Sequence, residues 1–344
     1  MQSPFFELLQ VALDNRRELS QTLSNKEWRN VFVEAQRQAI VGVLFDGLEK
    51  LPQEQRPQQD LLLQCIGITQ TIEKNALLHQ VRTQELTTLF KKYGYSSCVL
   101  KGVGLAQLYD NPLHRQGGDI DIWVDGPRDE IMDFLKKGYL IKEIRWHHVD
   151  CHFFDDVQTE VHFHATWLFN PCYDRKLQKF ICQSKQSIMN VDTGDLGYVF
   201  PSVEFNSVYS LVHSFHHLLE SGIGIRHVVD YYYIVKSLSP ENREEILSVI
   251  SSIGLMRFLT GLMWVLQETC GLSPEYLLCP PNEKDGKFLL EDIMKGGNFG
   301  HYRNGPHGKS SIGRMISLLP YYPNEVLWII PWKLWHKCWR LVNG

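Results

Sequence analysis

The sequence predicts an α+β fold, a small mixed β-sheet set between a helical N-terminal region and a helical C-terminal region. Three observations predict it. Apolar residues recur at helical spacing up to about residue 93 and again after about residue 200. Between those stretches, five short segments alternate or cluster apolar residues as strands do. The order strand, helix, strand, helix and then three closely spaced strands suits a mixed sheet with helices on one face.

Taken in order, residues 1–93 read as a helical subdomain. Phe5, Leu8, Leu9, Val11 and Leu13 share helical spacing, as do Val31, Ile40, Val43, Leu44 and Leu48. Pro52 and Pro57 punctuate, and residues 60–92 then run without a proline as one long helix that packs across a second layer. Residues 94–200 read as the α/β core. Its predicted strands are 97–101, 119–124, 139–144, 148–154 and 159–164. A short helical segment follows Gly102, and a helix over 128–137 is opened by Pro127 at a suitable early position. Residues 201–344 read as helical again, with helices over 203–220, 225–238, 241–253 and 255–270 and a break at Gly222-Ile223-Gly224. The stretch 296–313, rich in Gly, Asn and His, reads as a loop. Residues 315–341 combine Trp, Leu and Ile with Lys333, Lys337 and Arg340. That pattern suits either a segment packed on the body or an interfacial helix in peripheral contact with a membrane.

Composition narrows the class. With 344 residues, 44% apolar and 22% charged, the chain can bury a sizeable core. A net charge of −4 supplies no global attraction to long nucleic acid. Eight cysteines without Cys-x-x-Cys spacing argue against a zinc site or disulfide framework and fit a reducing cytoplasm. The start, Met1 to Glu7, lacks the basic region and apolar core of a signal peptide. No apolar run approaches the ~20 residues needed to span a bilayer.

The chemistry concentrates at residues 99–125. On the strand that begins at Asp119, Asp119 and Asp121 project to one side while Ile120 and Ile122 face the other. Two adjacent carboxylates repel unless a cation lies between them, and oxygen ligands suit Mg2+ or Mn2+. A solvated edge strand shows the same alternation. Glu160 lies on a strand where Glu160, His162 and His164 alternate with Val161 and Phe163, so it joins the acid pair if the two strands are neighbours. Lys101-Gly102 ends the preceding strand, and Arg115 and Gly117-Gly118 lead into Asp119. Glycines let a backbone approach phosphate closely, and the cations offset its charge. Arg226 and Asp230 are four apart, the spacing of an ordinary helix ion pair as well as of a phosphate contact and its support.

Leu100-Lys101-Gly102, Tyr109, Arg115, Gly118-Asp119-Ile120-Asp121 and Glu160-Val161-His162 resemble the polymerase-beta-like nucleotidyltransferase superfamily. They are most similar to a largely uncharacterised bacterial branch whose pattern runs LKG, R, GDIDLLV and ELH. The stretch from His213 through His216 and His217 to Gly224-Ile225-Arg226 and Asp230 resembles the helical region of that branch. The resemblance spans about residues 95–235. It implies a nucleotidyltransferase core in which Asp119, Asp121 and Glu160 are catalytic and bind Mg2+ or Mn2+. The substrate it implies is a nucleoside triphosphate, with an unidentified acceptor such as a small molecule, sugar phosphate, protein or tRNA end. Lys101, Gly102, Arg115, Gly117, Gly118 and Arg226 would contact phosphate or acceptor, with His162, His216 and Asp230 supporting them. The superfamily's phosphate-cradling glycines lie about ten residues before the acid strand, which leaves Gly102 and Gly118 both open for that part.

Three rival readings stand beside this one. Gly102-Val103-Gly104 with Asp125 resembles part of a dinucleotide fingerprint, but Gln107 replaces the third glycine. His147, His148, His152, His162 and His164, with His213 and His217 four apart, would suit a histidine-bound metal hydrolase. The third rival is a non-catalytic nucleotide-binding or regulatory protein of the same fold.

Overall fold

The computed structural model describes residues 3–189, 194–303 and 311–343. Helices α1 (Pro4–Ala12), α2 (Asn25–Arg37) and α3 (Val41–Lys50) pack their apolar faces together. Ser24 and Glu27 cap α2 reciprocally, each side chain accepting from the other's backbone N–H. Helix α4 (Gln59–Lys92) is 34 residues long, or ~50 Å at the α-helical rise. Its buried side chains, Leu61, Cys65, Thr69, Ile72, Ala76, Thr83, Leu86 and Phe90, are spaced by threes, fours and one seven and so lie on one face. The first half of that face joins the core of α1–α3, and Leu86 and Phe90 join the core beneath the sheet.

The sheet comprises β1 (Ser97–Val99), β2 (Ile120–Val124), β3 (Leu140–Ile144), β4 (His148–His152) and β5 (Thr159–His162) in the order β1-β2-β5-β4-β3. Strands β2 and β5 are parallel, and the other neighbours are antiparallel. Helices α5 (Val103–Ala106) and α6 (Arg128–Gly138) follow β1 and β2. Alternation sends Ile120, Ile122, Val149 and Val161 to one side, where they pack with Leu86 and Phe90 of α4 and Ile131 and Leu135 of α6.

The opposite side corrects the expectation of helices on one face. Trp123 projects there beside Asp121's side of the strand, and its ring lies 6.1 Å from Phe205 of helix α8 (Val203–Glu220). Helix α7 (Pro171–Met189) also covers this side, bringing Lys185 over the Trp123 ring at 5.7 Å. A bulky aromatic on the polar face forces that end of the sheet to be covered, while the acids farther along remain open to a cleft.

Helices α9 (Ile225–Ser237), α10 (Arg243–Ser252), α11 (Met256–Val265) and α12 (Glu283–Gly296) complete the main body, with a π turn over Leu266–Cys270 extending α11. Of the stretch read as a loop, residues 304–310 lie outside the described residues, and α13 (Ser311–Leu318) begins two residues before its expected end. The last helix, α14 (Pro323–Asn343), is anchored at its start by buried Glu325, which accepts from the Phe169 and Asn170 N–H groups at 2.9 and 3.3 Å. Its outer side leaves Leu327, Ile330, Leu334 and Leu341 exposed. Among the described residues no helix is long and apolar enough to cross a membrane.

Two polar clusters, one half-buried and one buried, fix the loop that leads into β2. His114 Nδ1 lies 2.6 Å from Asp46 on α3, and its Nε2 lies 3.1 Å from Glu73 on α4. Farther along, Arg115 grips Asp230 of α9 with both arms, at 2.7 and 2.9 Å, and the Tyr109 hydroxyl donates to the same carboxylate at 2.7 Å. Asp230 therefore pairs across the fold with Arg115 rather than along its own helix with Arg226.

Burial pushes the His114 imidazole down, but the Asp46 hydrogen bond and charge, followed by those of Glu73, outweigh it and raise its pKa above 6.5. The stabilisation from a raised histidine is complete below its unfolded pKa and is lost as pH rises through the folded one. Thermal unfolding should therefore place the native protein above His114→Gln at pH 6, with the gap narrowing as pH rises past 6.5. A gap that is constant with pH would mean that the contact is not ionic. Asp230→Ala strands the buried Arg115 guanidinium and should cost about 3–5 kcal/mol in urea unfolding. The double variant Arg115→Met with Asp230→Leu should recover part of that loss.

Candidate active site

Asp119 is the last residue before β2, and Asp121 lies within it. The parallel register sets Glu160 of β5 directly opposite Asp121, so the side chains of the two share one face. One carboxylate oxygen from each of Asp119, Asp121 and Glu160 lies within 4.8 Å of the others. Asp121 is only 2% exposed, whereas Asp119 and Glu160 are half-buried at the cleft.

Two cationic groups balance these acids. Lys101 Nζ lies 2.9 Å from Asp121 Oδ2. His162 Nε2 lies 3.0 Å from Asp121 Oδ1 and 3.3 Å from Glu160 Oε2. Burial pushes the Asp121 carboxyl up, but the Lys101 charge and the His162 hydrogen bond and charge outweigh it and hold its pKa below the ordinary value. Burial pushes the Glu160 carboxyl up as well, but the hydrogen bond from His162 and the His148 and His162 charges together outweigh it and leave Glu160 at about 2. Burial works against the His162 cation too, yet Asp121 and Glu160 raise its pKa to about 9. Behind Lys101, His213 Nε2 lies 3.3 Å from its ammonium and 3.0 Å from His217 Nε2. Burial, then the Lys101 charge, holds His213 neutral.

The glycines differ in what their backbones require. Gly102 has φ +56° and ψ −119°, a conformation that excludes side chains bearing a Cβ, and it turns the chain from β1 into α5. Gly117 and Gly118 have no positive φ. A Cβ on Gly118 would meet nothing within 4 Å, and one on Gly117 would lie 3.3 Å from the His79 ring. These two are exposed backbone rather than a strained turn.

The other predicted site residues are spread around this centre. Arg115 is committed to Asp230, as described above. Arg226 donates from Nη1 to the Gln116 carbonyl at 3.1 Å and lies over the Phe299 ring at 5.2 Å. Burial, then the Arg115 charge, lowers its pKa from 12.5. His216 lines the cleft half-buried against Trp167 and Phe169, with ring centroids 4.5 and 5.4 Å away, and desolvation lowers its pKa to about 3.

The acids form the floor of a cavity of about 390 Å³. Tyr209, His213 and His217 of α8 line one side, and Trp332, Lys333, His336 and Arg340 of α14 line another. Trp332 stacks on Trp167 with centroids 4.1 Å apart and planes 8° from parallel. Arg145 and His148 enter from the β3–β4 side. Sequence reasoning missed Arg145, Tyr209 and the α14 wall. It saw His148 only as part of a rival histidine pattern, and His213 there and within the stretch that resembles the family's helical region. The signal for His148 was its alternation with Asp150 on one strand, whereas nothing local marks the α14 residues as neighbours of the acids.

No curated protein matches the chain. A family model described as an uncharacterised nucleotidyltransferase matches residues 24–271, most of the chain. The match begins at the cap of α2, takes in the whole sheet with Lys101, the three acids, Arg226 and Asp230, and ends before α12, α13 and α14. The chain belongs to this family of uncharacterised nucleotidyltransferases.

Proposed function

We propose that the chain moves a nucleoside monophosphate from a nucleoside triphosphate to a hydroxyl or phosphate acceptor, with Asp119, Asp121 and Glu160 holding Mg2+ or Mn2+. The observation that carries this reading is the register that faces Glu160 to Asp121, with Asp119 two residues before Asp121 on the same side. Three carboxylates offer hard oxygen donors, which suit a hard divalent ion. Such an ion, when bound, withdraws charge from phosphate oxygens.

The chain's own groups supply the rest. Lys101 places a positive charge beside the acids, and the Gly102 turn with the open Gly117-Gly118 backbone offers N–H groups to phosphate. Arg115 acts by position, holding the loop through Asp230. Arg226 lies behind the same loop and adds positive charge near Asp119. Glu160 is ionised at neutral pH, so it is available to bind the ion. Arg145, Lys333 and Arg340 put cations on the cleft wall, where a phosphorylated acceptor would meet them.

The test is incubation with each labelled nucleoside triphosphate and a cell lysate, asking which molecule gains the label. Asp119→Asn and Asp121→Asn should each cut labelling by roughly 10³-fold or more, since several kcal/mol of charge stabilisation is removed. Their thermal unfolding should be checked in parallel. Labelling that persists in folded variants would remove the site assignment. Metal-dependent triphosphate binding without any transfer by the native protein would favour a non-catalytic nucleotide-binding role.

The same reading includes a peripheral membrane contact through α14. Its outer side exposes Leu327, Ile330, Leu334 and Leu341, and the exposed Lys337 lies seven residues after Ile330 on the same side. The protein should float with anionic liposomes, and Ile330→Asp with Leu334→Asp should abolish flotation. If the native protein stays at the bottom of the gradient, the membrane contact is excluded.

A further inference from the structure

Next to the oxygen-rich corner of the site lies a nitrogen-rich one that the proposed transfer does not use. The antiparallel register of β4 and β5 pairs His148 with His162 and Asp150 with Glu160, so all four side chains stand on the acid-bearing face. His148 Nδ1 is 3.6 Å from Glu160 Oε2, and His162 Nε2 is 3.3 Å from the same oxygen. One ligand atom from each of His148, Glu160 and His162 lies within 4.8 Å of the others.

His148 is 4% exposed, yet neither of its ring nitrogens makes a hydrogen bond of good geometry among the described residues. The buried Nδ1 of His162 is likewise unpartnered. A single proton on His162 Nε2 serves Asp121 and Glu160 but does nothing for His148. Buried polar atoms in native folds find partners, and those that do not call for an explanation.

We propose that His148 Nδ1, Glu160 Oε2 and His162 Nε2 form a second ion position, adjoining the carboxylate corner, that takes a transition metal of the Mn2+, Co2+ or Zn2+ class, the ion releasing the Nε2 proton of His162 to solvent and replacing its positive charge beside Asp121. Metal bonds of about 2.1 Å place neighbouring ligand atoms about 3.4 Å apart in a tetrahedron, which matches the two distances to Glu160. Behind His148, its Nε2 faces Asp150 Oδ1 at 3.3 Å. A carboxylate on the far nitrogen is the usual support for a metal-bound imidazole, fixing the ring and its tautomer. Two imidazoles with one carboxylate favour borderline metals, whereas Mg2+ prefers oxygen alone. The two corners share Glu160, so its carboxylate bridges a hard position and a softer one.

The inference concerns ion binding and does not require nucleotidyl transfer, although Glu160 is common to both. The test is titration of untagged, full-length protein with Co2+, followed by visible absorption and isothermal calorimetry, with Mg2+ present in large excess. The native protein should bind Co2+ with ligand-field bands that Mg2+ does not remove and Zn2+ does. His148→Ala and Glu160→Gln should abolish those bands, and Asp150→Asn should weaken binding about 10–100-fold. Asp119→Asn should leave the bands in place, because Asp119 belongs only to the oxygen corner. Thermal unfolding of each variant confirms that it is folded. Native protein without bands, or a folded His148→Ala variant that binds Co2+ as the native protein does, overturns the inference. If labelling depends on Asp119 and Asp121 while the Co2+ test fails, only this inference falls. If Co2+ binds as described but no nucleotide is transferred, the ion position stands and the transfer reading falls.

Discussion

Repulsion among three carboxylates is the constraint around which the centre of this molecule is arranged. Two unit charges 4 Å apart at an effective dielectric constant of 20 repel by about 4 kcal/mol, and Asp121 is nearly sealed from water. The fold answers with Lys101 from the end of β1 and His162 from β5, each within 3.0 Å of a different Asp121 oxygen. Both cations are placed by backbone features. Lys101 precedes the Gly102 turn, and His162 follows Glu160 by two residues on the same side of its strand. Exchanging Asp121 or Glu160 for a neutral residue would alter the protonation of the other and of His162, so these three titrate as one unit rather than as separate groups.

Holding the acids in place is a task distributed across distant parts of the chain. Asp119 ends a loop with little regular structure, which by itself would fix no carboxylate to within an ångström. That loop is clamped at His114 by α3 and α4 and at Arg115 by α9. Helix α4 belongs to both cores, so the N-terminal helices are connected to the sheet through one continuous element. A buried ion pair adds little net stability over an apolar substitute, and its worth here lies in the single geometry it allows. A bidentate guanidinium–carboxylate contact with a tyrosine hydroxyl on the same carboxylate leaves the loop few alternatives.

What was legible in the sequence follows from which signals are local. The period-two pattern of Asp119 to Val124 contains the acid pair and its apolar backing within six residues, and the strand could be read directly. Glu160 was legible from its strand alternation only on the condition that the two strands are neighbours, because its place opposite Asp121 depends on a parallel pairing that no local pattern encodes. Arg115 was read as a cation free for phosphate because its partner Asp230 is 115 residues away. Helix α7 was missed for a different reason. Its fully buried apolar residues are few, Leu177, Ile181, Ile188 and Met189, and most of its remaining surface is polar, so the periodic signal is thin. The helices over 203–220 and 225–238 were legible because nearly every turn buries apolar residues.

The cleft divides unequally between what the family shares and what lies beyond the match. The acids, Lys101, His162 and the α8 side all fall within residues 24–271, whereas Trp332, Lys333, His336 and Arg340 do not. The helix that carries them is attached at one end by Glu325, whose carboxylate accepts two backbone N–H groups, and along its length by the Trp332–Trp167 stack. Both attachments join α14 to the segment that follows β5, so the wall is tied to the strand that bears Glu160. A different C-terminal helix could replace this wall without disturbing the register between β2 and β5, because no residue of α14 takes part in that pairing. The acid geometry is thus insulated from the surface that faces it, an arrangement in which one charge cluster can be kept while the shape and charge of the opposing wall change.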